Sequence, residues 1–247
     1  VTDNVNYVTG NVTYTPYYKD VIRTDLSKQL TVPFSKLVTT INNLTGVVIN
    51  NSLDGITITV PRATGNVSLD LGLFVNSTGG NNINLSMPIN ISVNTTSGVV
   101  EMQIAQNTSF AGTPGLWYGT FNLPAVTSSN VTPTASTGYG ATTSSTYDIG
   151  FSENLSTTQV SNRAVRINFT NQGTKYIGYV KNSEFSAIST ACAVDSQSAG
   201  DNLTNWTGDC KITKGNDLIV WTKHFSQFIL YNQSLLTTAS TTTSSSS

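Results

Sequence analysis

The chain has 247 residues, 38% of them apolar, which is enough to fill one large β-sandwich or two small ones and excludes disorder along its whole length. Only 10% of residues are charged, against about 25% in an ordinary soluble domain. The formal net charge is -1, so there is no electrostatic footprint for nucleic acid or for an anionic membrane surface.

Polarity comes instead from 39 Thr, 29 Ser and 26 Asn. Residues 1–32 stand apart from the rest of the chain. Val5, Tyr7, Val12, Tyr14 and Tyr17 are spaced along a β-prone stretch that Gly10 and Pro16 interrupt, with no hairpin partner beside it. Two readings fit: the first strands of the domain, or an arm that pairs with a neighbouring molecule and places these five residues in a subunit interface. Lys19, Arg23 and Lys28 beside Asp20 and Asp25 mark a connector or short edge strand.

Region 33–97 is β-rich. Short strands are expected at 46–50, 56–60, 67–74, 83–87 and 89–93, preceded by one at 30–33. Ile56, Ile58 and Val60 alternate with Thr57 and Thr59, and Leu69, Leu71 and Leu73 alternate with Asp70 and Gly72. The run Asn76-Ser-Thr-Gly-Gly-Asn-Asn has the composition of a hairpin turn between the third and fourth of these strands. A boundary is expected between Ser97 and Gly98, opening a second region at 98–236. There Val99, Val100, Met102 and Ile104 begin a strand, residues 127–147 read as a long exposed loop, and further strands are expected at 147–151, 164–169, 175–180 and 185–188. No stretch has the period of an amphipathic helix. Turn signals every 8–12 residues or so define the class as all-β, an antiparallel sandwich with two packed β-regions and an extended N-terminal arm. The Ser- and Thr-rich tail, 237–247, needs a neighbouring subunit or its own sugars to be ordered.

Residues 192–231 gather both cysteines, two of the three tryptophans and the single histidine. A Cys192–Cys210 disulfide is expected to close a loop that leads into a final core hairpin, adding about 3 kcal/mol of stability in the chain-entropy account. Leu218, Val220, Thr222 and His224 alternate with Ile219, Trp221 and Lys223, and Phe228-Ile-Leu-Tyr231 is apolar without a break.

Asn-x-Ser/Thr occurs at Asn11, Asn43, Asn50, Asn66, Asn76, Asn84, Asn90, Asn94, Asn107, Asn130, Asn154, Asn168, Asn202, Asn205 and Asn232. Chance placement in this composition gives roughly 7 such motifs, so the enrichment is about twofold. Together with the disulfide it places the chain outside the cell, secreted or at the cell surface, with covalent glycans. The N-terminus lacks the basic and apolar parts of a signal peptide, as expected of a mature chain whose leader has been removed. No apolar run approaches the roughly 18 residues of a membrane span.

Groups for chemistry are sparse. His224 lies in a strand pattern between aromatic residues, where packing accounts for it better than a hydrolase triad. Glu101, Glu153 and Glu184 are scattered, without the close pair of carboxylates that glycosidases need. Asp195, Asp201, Asp209 and Asp217 cluster around the disulfide loop but match no calcium-loop spacing, so turn or solvated roles are expected of them. Two cysteines and one histidine leave a zinc set incomplete. No catalytic residue, metal or cofactor is expected. Tyr17, Tyr18, Trp117, Tyr118 and Trp206 are candidates for stacking on sugars, equally suited to a core or subunit interface.

Residues 98–231 resemble a β-module of secreted and cell-surface prokaryotic proteins. The likeness is carried by Glu101-Met-Gln-Ile-Ala-Gln-Asn-Thr, Trp117-Tyr-Gly-Thr-Phe-Asn-Leu-Pro, Asp148-Ile-Gly-Phe, Ala164-Val-Arg-Ile, Cys192-Ala-Val-Asp-Ser-Gln, Gly208-Asp-Cys-Lys-Ile and the closing Asp217-Leu-Ile-Val-Trp-Thr-Lys-His-Phe-Ser-Gln-Phe. That close is distantly similar to the ends of ZU5-like domains, and the resemblance implies a structural module. In composition and architecture the whole chain resembles glycosylated subunits of prokaryotic extracellular filaments, thread- or pilus-like, joined by donor-strand complementation. It implies identical subunits in a head-to-tail polymer. A surface-layer protein, an adhesin or a carbohydrate-binding module is the alternative.

Overall fold

The computed structural model describes residues 11–14, 37–38, 47–52, 55–61, 68–70, 82–85, 87–111, 120–150, 160–205 and 207–236. They form two β-sheets packed face to face, the all-β sandwich that the alternating pattern predicts. Among the described residues the larger sheet has ten strands. Its order is β1 (Asn11–Tyr14), β3 (Val47–Ser52), β4 (Gly55–Val60), β7 (Ile89–Thr95), β8 (Gly98–Ile104), β12 (Val160–Phe169), β16 (Asp217–His224) and β15 (Cys210–Lys214). Beside this row β6 (Asn82–Asn84) pairs with β9 (Ser109–Ala111), and β9 pairs with the start of β12. The smaller sheet has seven, in the order β14 (Glu184–Ala187), β13 (Tyr176–Lys181), β17 (Gln227–Leu235), β11 (Tyr139–Gly150), β10 (Thr120–Thr127), β5 (Ser68–Asp70) and β2 (Leu37–Val38).

The period-2 pattern sets which face is buried. In β4, β7 and β8 the residues Ile56, Ile58, Val60, Ile89, Ile91, Val93, Val100, Met102 and Ile104 face the core, while Thr57, Asn90, Asn94 and Gln103 face solvent. Leu218 and Val220 of β16 join the same core, and Ile219 and Trp221 lie on the opposite face. The unbroken apolar run in β17 has a different cause. Phe228 and Leu230 point between the sheets, whereas Tyr231 faces outward under the ring of Phe185, 5.5 Å away and edge-on. Gly178 makes room for that ring, because a Cβ there would lie 2.4 Å from it.

Named strands pair antiparallel with one exception. β4 and β7 are parallel, with Ile56 opposite Ile89 and Val60 opposite Val93. A parallel pair needs a crossover, and the chain between these two strands visits the smaller sheet at β5 before it returns. The point between Ser97 and Gly98 falls in the tight turn of the β7–β8 hairpin, where Thr95 Oγ1 donates to the Gly98 carbonyl at 2.7 Å. Regions 33–97 and 98–236 each contribute strands to both sheets.

Three expectations are corrected. The hairpin around residues 76–82 does not form: β5 pairs with β10 and β2 in one sheet, and β6 with β9 in the other. A turn-rich link serves a passage between layers as well as a turn within one, and composition does not distinguish them. The final hairpin is likewise a crossing, because β16 and β17 belong to different sheets. Phe225 and Ser226 carry the chain through the interior between them. Part of the expected loop 127–147 is strand, since β11 starts at Tyr139 and runs beside β17 from Tyr139 opposite Leu235 to Asp148 opposite Gln227. β-branched threonines accept a ladder once a partner strand offers one. The expected strand at 30–33 and the tail 237–247 lie outside the described residues.

Phe225 is fully buried, with its ring 5.0 Å from that of Phe121 and 5.6 Å from that of Phe110. Phe225→Ala is expected to lower the unfolding free energy by about 3–5 kcal/mol. Thr57→Ala on the open face should stay within about 0.5 kcal/mol of the parent. Guanidinium melts of the two variants check both.

Candidate functional site

The cysteines, aspartates and His224 singled out in the sequence converge on one end of the larger sheet. Cys192 and Cys210 are bonded, S–S 2.06 Å. The closed loop folds back over the outer face of β12, β16 and β15. Its ends are stitched to β15 by Cys192 N–H donating to the Lys211 carbonyl and Lys211 N–H donating to the Thr190 carbonyl, both at 2.9 Å. Beneath it the disulfide packs with Ala164, Ile219 and Trp221 in a second small core, flanked by Leu203 and Ile212.

Inside the loop sits a single helical turn, α1 (Gln197–Asp201), capped by Ser196, whose hydroxyl accepts from the Ala199 N–H. Five residues are too few for a periodic signal, which is why the sequence did not reveal it. The helix lies flat on the indole. A Cβ on Gly200 would come 2.4 Å from the Trp221 ring and 3.0 Å from the Ala164 methyl.

Two carboxylates hold this lid to the sheet. Asp195 takes Arg166 in a two-pronged contact (Nε 2.8 Å, Nη2 2.9 Å) and accepts from the Trp221 indole N–H at 3.0 Å, with Lys214 at 3.5 Å. The Arg166 bond is the main reason that its carboxyl titrates below the ordinary range. Asp201 accepts from Arg163 (2.9 and 2.8 Å), the Ala164 N–H (2.9 Å) and Gln197 (2.7 Å). Burial raises its pKa, and these donors together outweigh burial and bring it below the ordinary value. The sequence signal for this arrangement is complementary: Arg163 and Arg166 on one strand and an acidic loop, in a chain with few charges.

Asp209 points inward. Its Oδ2 lies 2.6 Å from His224 Nε2, both side chains are essentially out of solvent (4% and 0% exposed), and the ring of Tyr179 from the other sheet packs tilted against the imidazole, with centroids 4.4 Å apart. A substrate has no approach to this pair, and its geometry is that of a cross-brace between β15, β16 and β13. Asp217 accepts from the amide of Asn168 (3.2 Å) and the Asn171 N–H (2.9 Å). The four aspartates therefore face four different sets of protein donors, and among the described residues no group of three or more His, Cys, Asp or Glu could hold a metal ion. Glu101 accepts from Asn168 on the larger sheet, Glu184 lies on β14 of the smaller one, and Glu153 lies outside the described residues.

Asn84, Asn90, Asn94, Asn107, Asn130, Asn202, Asn205 and Asn232 are exposed. Asn168 is the exception, 5% exposed, with its amide nitrogen donating to both Glu101 (3.0 Å) and Asp217. The side chains of Asn11, Asn43, Asn50, Asn66, Asn76 and Asn154 lie outside the described residues, as do Val5, Tyr7, Tyr17, Tyr18, Trp117, Tyr118 and Trp206. Val12 and Tyr14 fall in β1, opposite Ile49 and Val47 of the same chain. No helix among the described residues is long and apolar enough to cross a membrane.

The lowered pKa values make lid stability pH-dependent. Each carboxyl binds protons less readily in the fold than in the unfolded chain, where its pKa is about 3.9. The stabilisation is present above that value and is lost as pH falls through the lower folded values. Asp195→Asn should reduce stability at neutral pH and flatten the acid limb of a urea-midpoint profile between about pH 7 and 2. An acid limb as steep as the parent's would refute the assignment.

Compared with protein-family models, curated proteins and solved structures, the chain matches none of them.

Proposed function

We propose that the chain is a structural subunit of an extracellular, N-glycosylated filament, built head to tail by donation of a β-strand from one copy to the next. The observation that carries this reading is the position of β1. Among the described strands it is the last of the larger sheet, hydrogen-bonded to β3, and it comes from the segment spaced like a pairing arm. An open strand edge is an aggregation hazard. A partner strand satisfies it with main-chain bonds and needs little of its side chains. Donation in one direction does not close on itself unless the rotation allows it, so it propagates a fibre.

Two features support the structural role. Among the described residues, Asp195, Asp201, Asp209, Asp217 and His224 are engaged in bracing the lid and core. The open face of β4, β7 and β8 is uncharged except for Glu101, with sequons at the exposed Asn90 and Asn94. Glycans there would cover a flat polar sheet and discourage lateral contact and proteolysis.

Negative-stain imaging of native material should show filaments; single particles or flat lattices would count against the proposal. A chain lacking residues 1–20 should fold and fail to polymerise, and normal polymerisation of that chain would rule out donation by the arm. Glycopeptide mapping should find sugar on exposed sequons and none on Asn168, because a glycan on its amide nitrogen would displace the Glu101 and Asp217 bonds and enter a buried site.

A further inference from the structure

Between β10 and β11 the chain crosses the surface as a strap, residues 128–138, that joins no strand ladder. Burial alternates along it. Pro133 is buried and Val131 and Ala135 are partly buried, while Thr132, Thr134 and Ser136 are exposed. Pro133 disfavours helical backbone at Thr132 and has no N–H to give to a ladder. The strap is pinned at its end: the Ser136 N–H donates to Gln233 Oε1 of β17 at 3.0 Å, and the Gly138 carbonyl accepts from the Leu236 N–H at 2.9 Å. Its outer side is a row of hydroxyls on main chain outside any ladder, and those of Thr134 and Ser136 have no protein partner among the described residues.

This stretch has no charge to hydrate it. Twelve of residues 127–147 are Ser or Thr and none is charged, where a stretch of that length in an ordinary soluble domain carries about five charges. At the foot of the strap Tyr139, Leu235 and Leu236 are exposed. Exposed apolar groups in an uncharged surround invite association.

We propose that the strap is a site of O-linked glycosylation, with Thr134 and Ser136 as the acceptors. The inference rests on the reading of the chain as an extracellular glycoprotein and adds a linkage that needs no asparagine. In the transfer, the hydroxyl oxygen attacks the anomeric carbon of a phosphate-activated sugar held by a separate transferase. The new C–O bond forms as the bond from that carbon to the phosphate oxygen breaks. Its electron pair leaves with the phosphate, and the hydroxyl proton passes to a base of the transferase. A transferase can read an acceptor whose main chain is open on one side, and the strap offers that. The hydroxyls of Thr146 and Thr222 are buried within the sheets and closed to it. Sugars on the strap would hydrate the uncharged stretch and cover the leucines at its foot.

Glycopeptide mapping of native material, with fragmentation that keeps each sugar on its residue, tests the assignment. Sugar mass is expected on Thr134 or Ser136, removable by alkaline β-elimination and absent from Thr146. It should persist in Asn130→Gln, which removes the N-linked motif of the same strap. The double variant Thr134→Ala/Ser136→Ala changes exposed side chains only, so it should melt as the parent does and lose that mass. Retention of the mass in the double variant would overturn the inference by placing the sugar on another residue. N-linked sugar elsewhere, with Thr134 and Ser136 bare, would also overturn it and leave the glycoprotein reading standing. If the native chain carries no sugar at all, both fall together.

Discussion

The passage of the chain through the interior at Phe225 and Ser226 is the constraint on which the rest of the sandwich depends. On one side lies β16, flanked by β12 and β15 in the larger sheet; on the other lies β17, flanked by β11 and β13 in the smaller. Two residues joining two strands in different layers leave no slack, so the sheets are registered to each other there. The Phe225 ring fills the space that the crossing opens, against Phe110 and Phe121. Gly150, at φ +93°, permits the approach, because a Cβ on it would lie 2.3 Å from the Phe225 Cβ. Ser226 adds a hydrogen bond from its hydroxyl to the Val180 carbonyl, and its own carbonyl accepts from the Ile149 N–H.

Outside this interior the larger sheet has two kinds of surface. At the β15–β16–β12 end it is roofed by the disulfide loop and carries a second apolar core around Trp221. Towards β4 it is open, polar and almost without charge. With 12 basic and 13 acidic residues in all, the chain commits Arg163, Arg166, Asp195 and Asp201 to fastening that roof. Ion pairs at a partly exposed surface stabilise little as isolated pairs. Here each carboxylate also takes further donors, Trp221 for one and Ala164 and Gln197 for the other, and it is the multiple bonding that orients the loop. The inward Asp209–His224 pair braces the same end from below. Breaking such a buried pair costs several kcal/mol through the group left behind, although the pair itself is weak evidence of net stabilisation.

A sandwich made this way still has edges, and assembly is where its function is proposed to lie. The lid closes off the outer face at one end of the larger sheet, while β1 is the last described strand at the other end. The polar residues of the open face neither recruit partners by charge nor expose a large apolar surface. Exposed apolar side chains gather elsewhere, with Leu235 and Leu236 more than 60% exposed beside Tyr139 at the far end of the β11–β17 ladder. A β-sandwich that interacts through strand edges has its specificity in register and its strength in main-chain hydrogen bonds, which suits a chain rich in Thr, Ser and Asn and poor in charge.

By itself the sequence determined what short-range physics determines. Alternation placed Ile56, Ile58 and Val60 inward and set Leu218 and Val220 on the opposite face from Ile219 and Trp221, because successive side chains of a strand point to opposite sides. The cysteine spacing and the composition were enough for the disulfide and for the all-β class. What the tertiary structure alone decided is which strand lies beside which. The strands expected at 67–74 and 83–87 read as a hairpin, yet their described parts, β5 and β6, lie in different sheets; 217–224 and 227–235 do the same; and the Thr- and Ser-rich start of β11 is a strand because β17 lies alongside it. The candidate site divides in the same way. Its rare residues were legible as a cluster, but Arg163, Arg166 and Asn168 entered it through strand neighbours distant in sequence. Main-chain hydrogen bonds carry no record of their partner in the local sequence, so pairing is settled only when the whole apolar surface has to be buried at once.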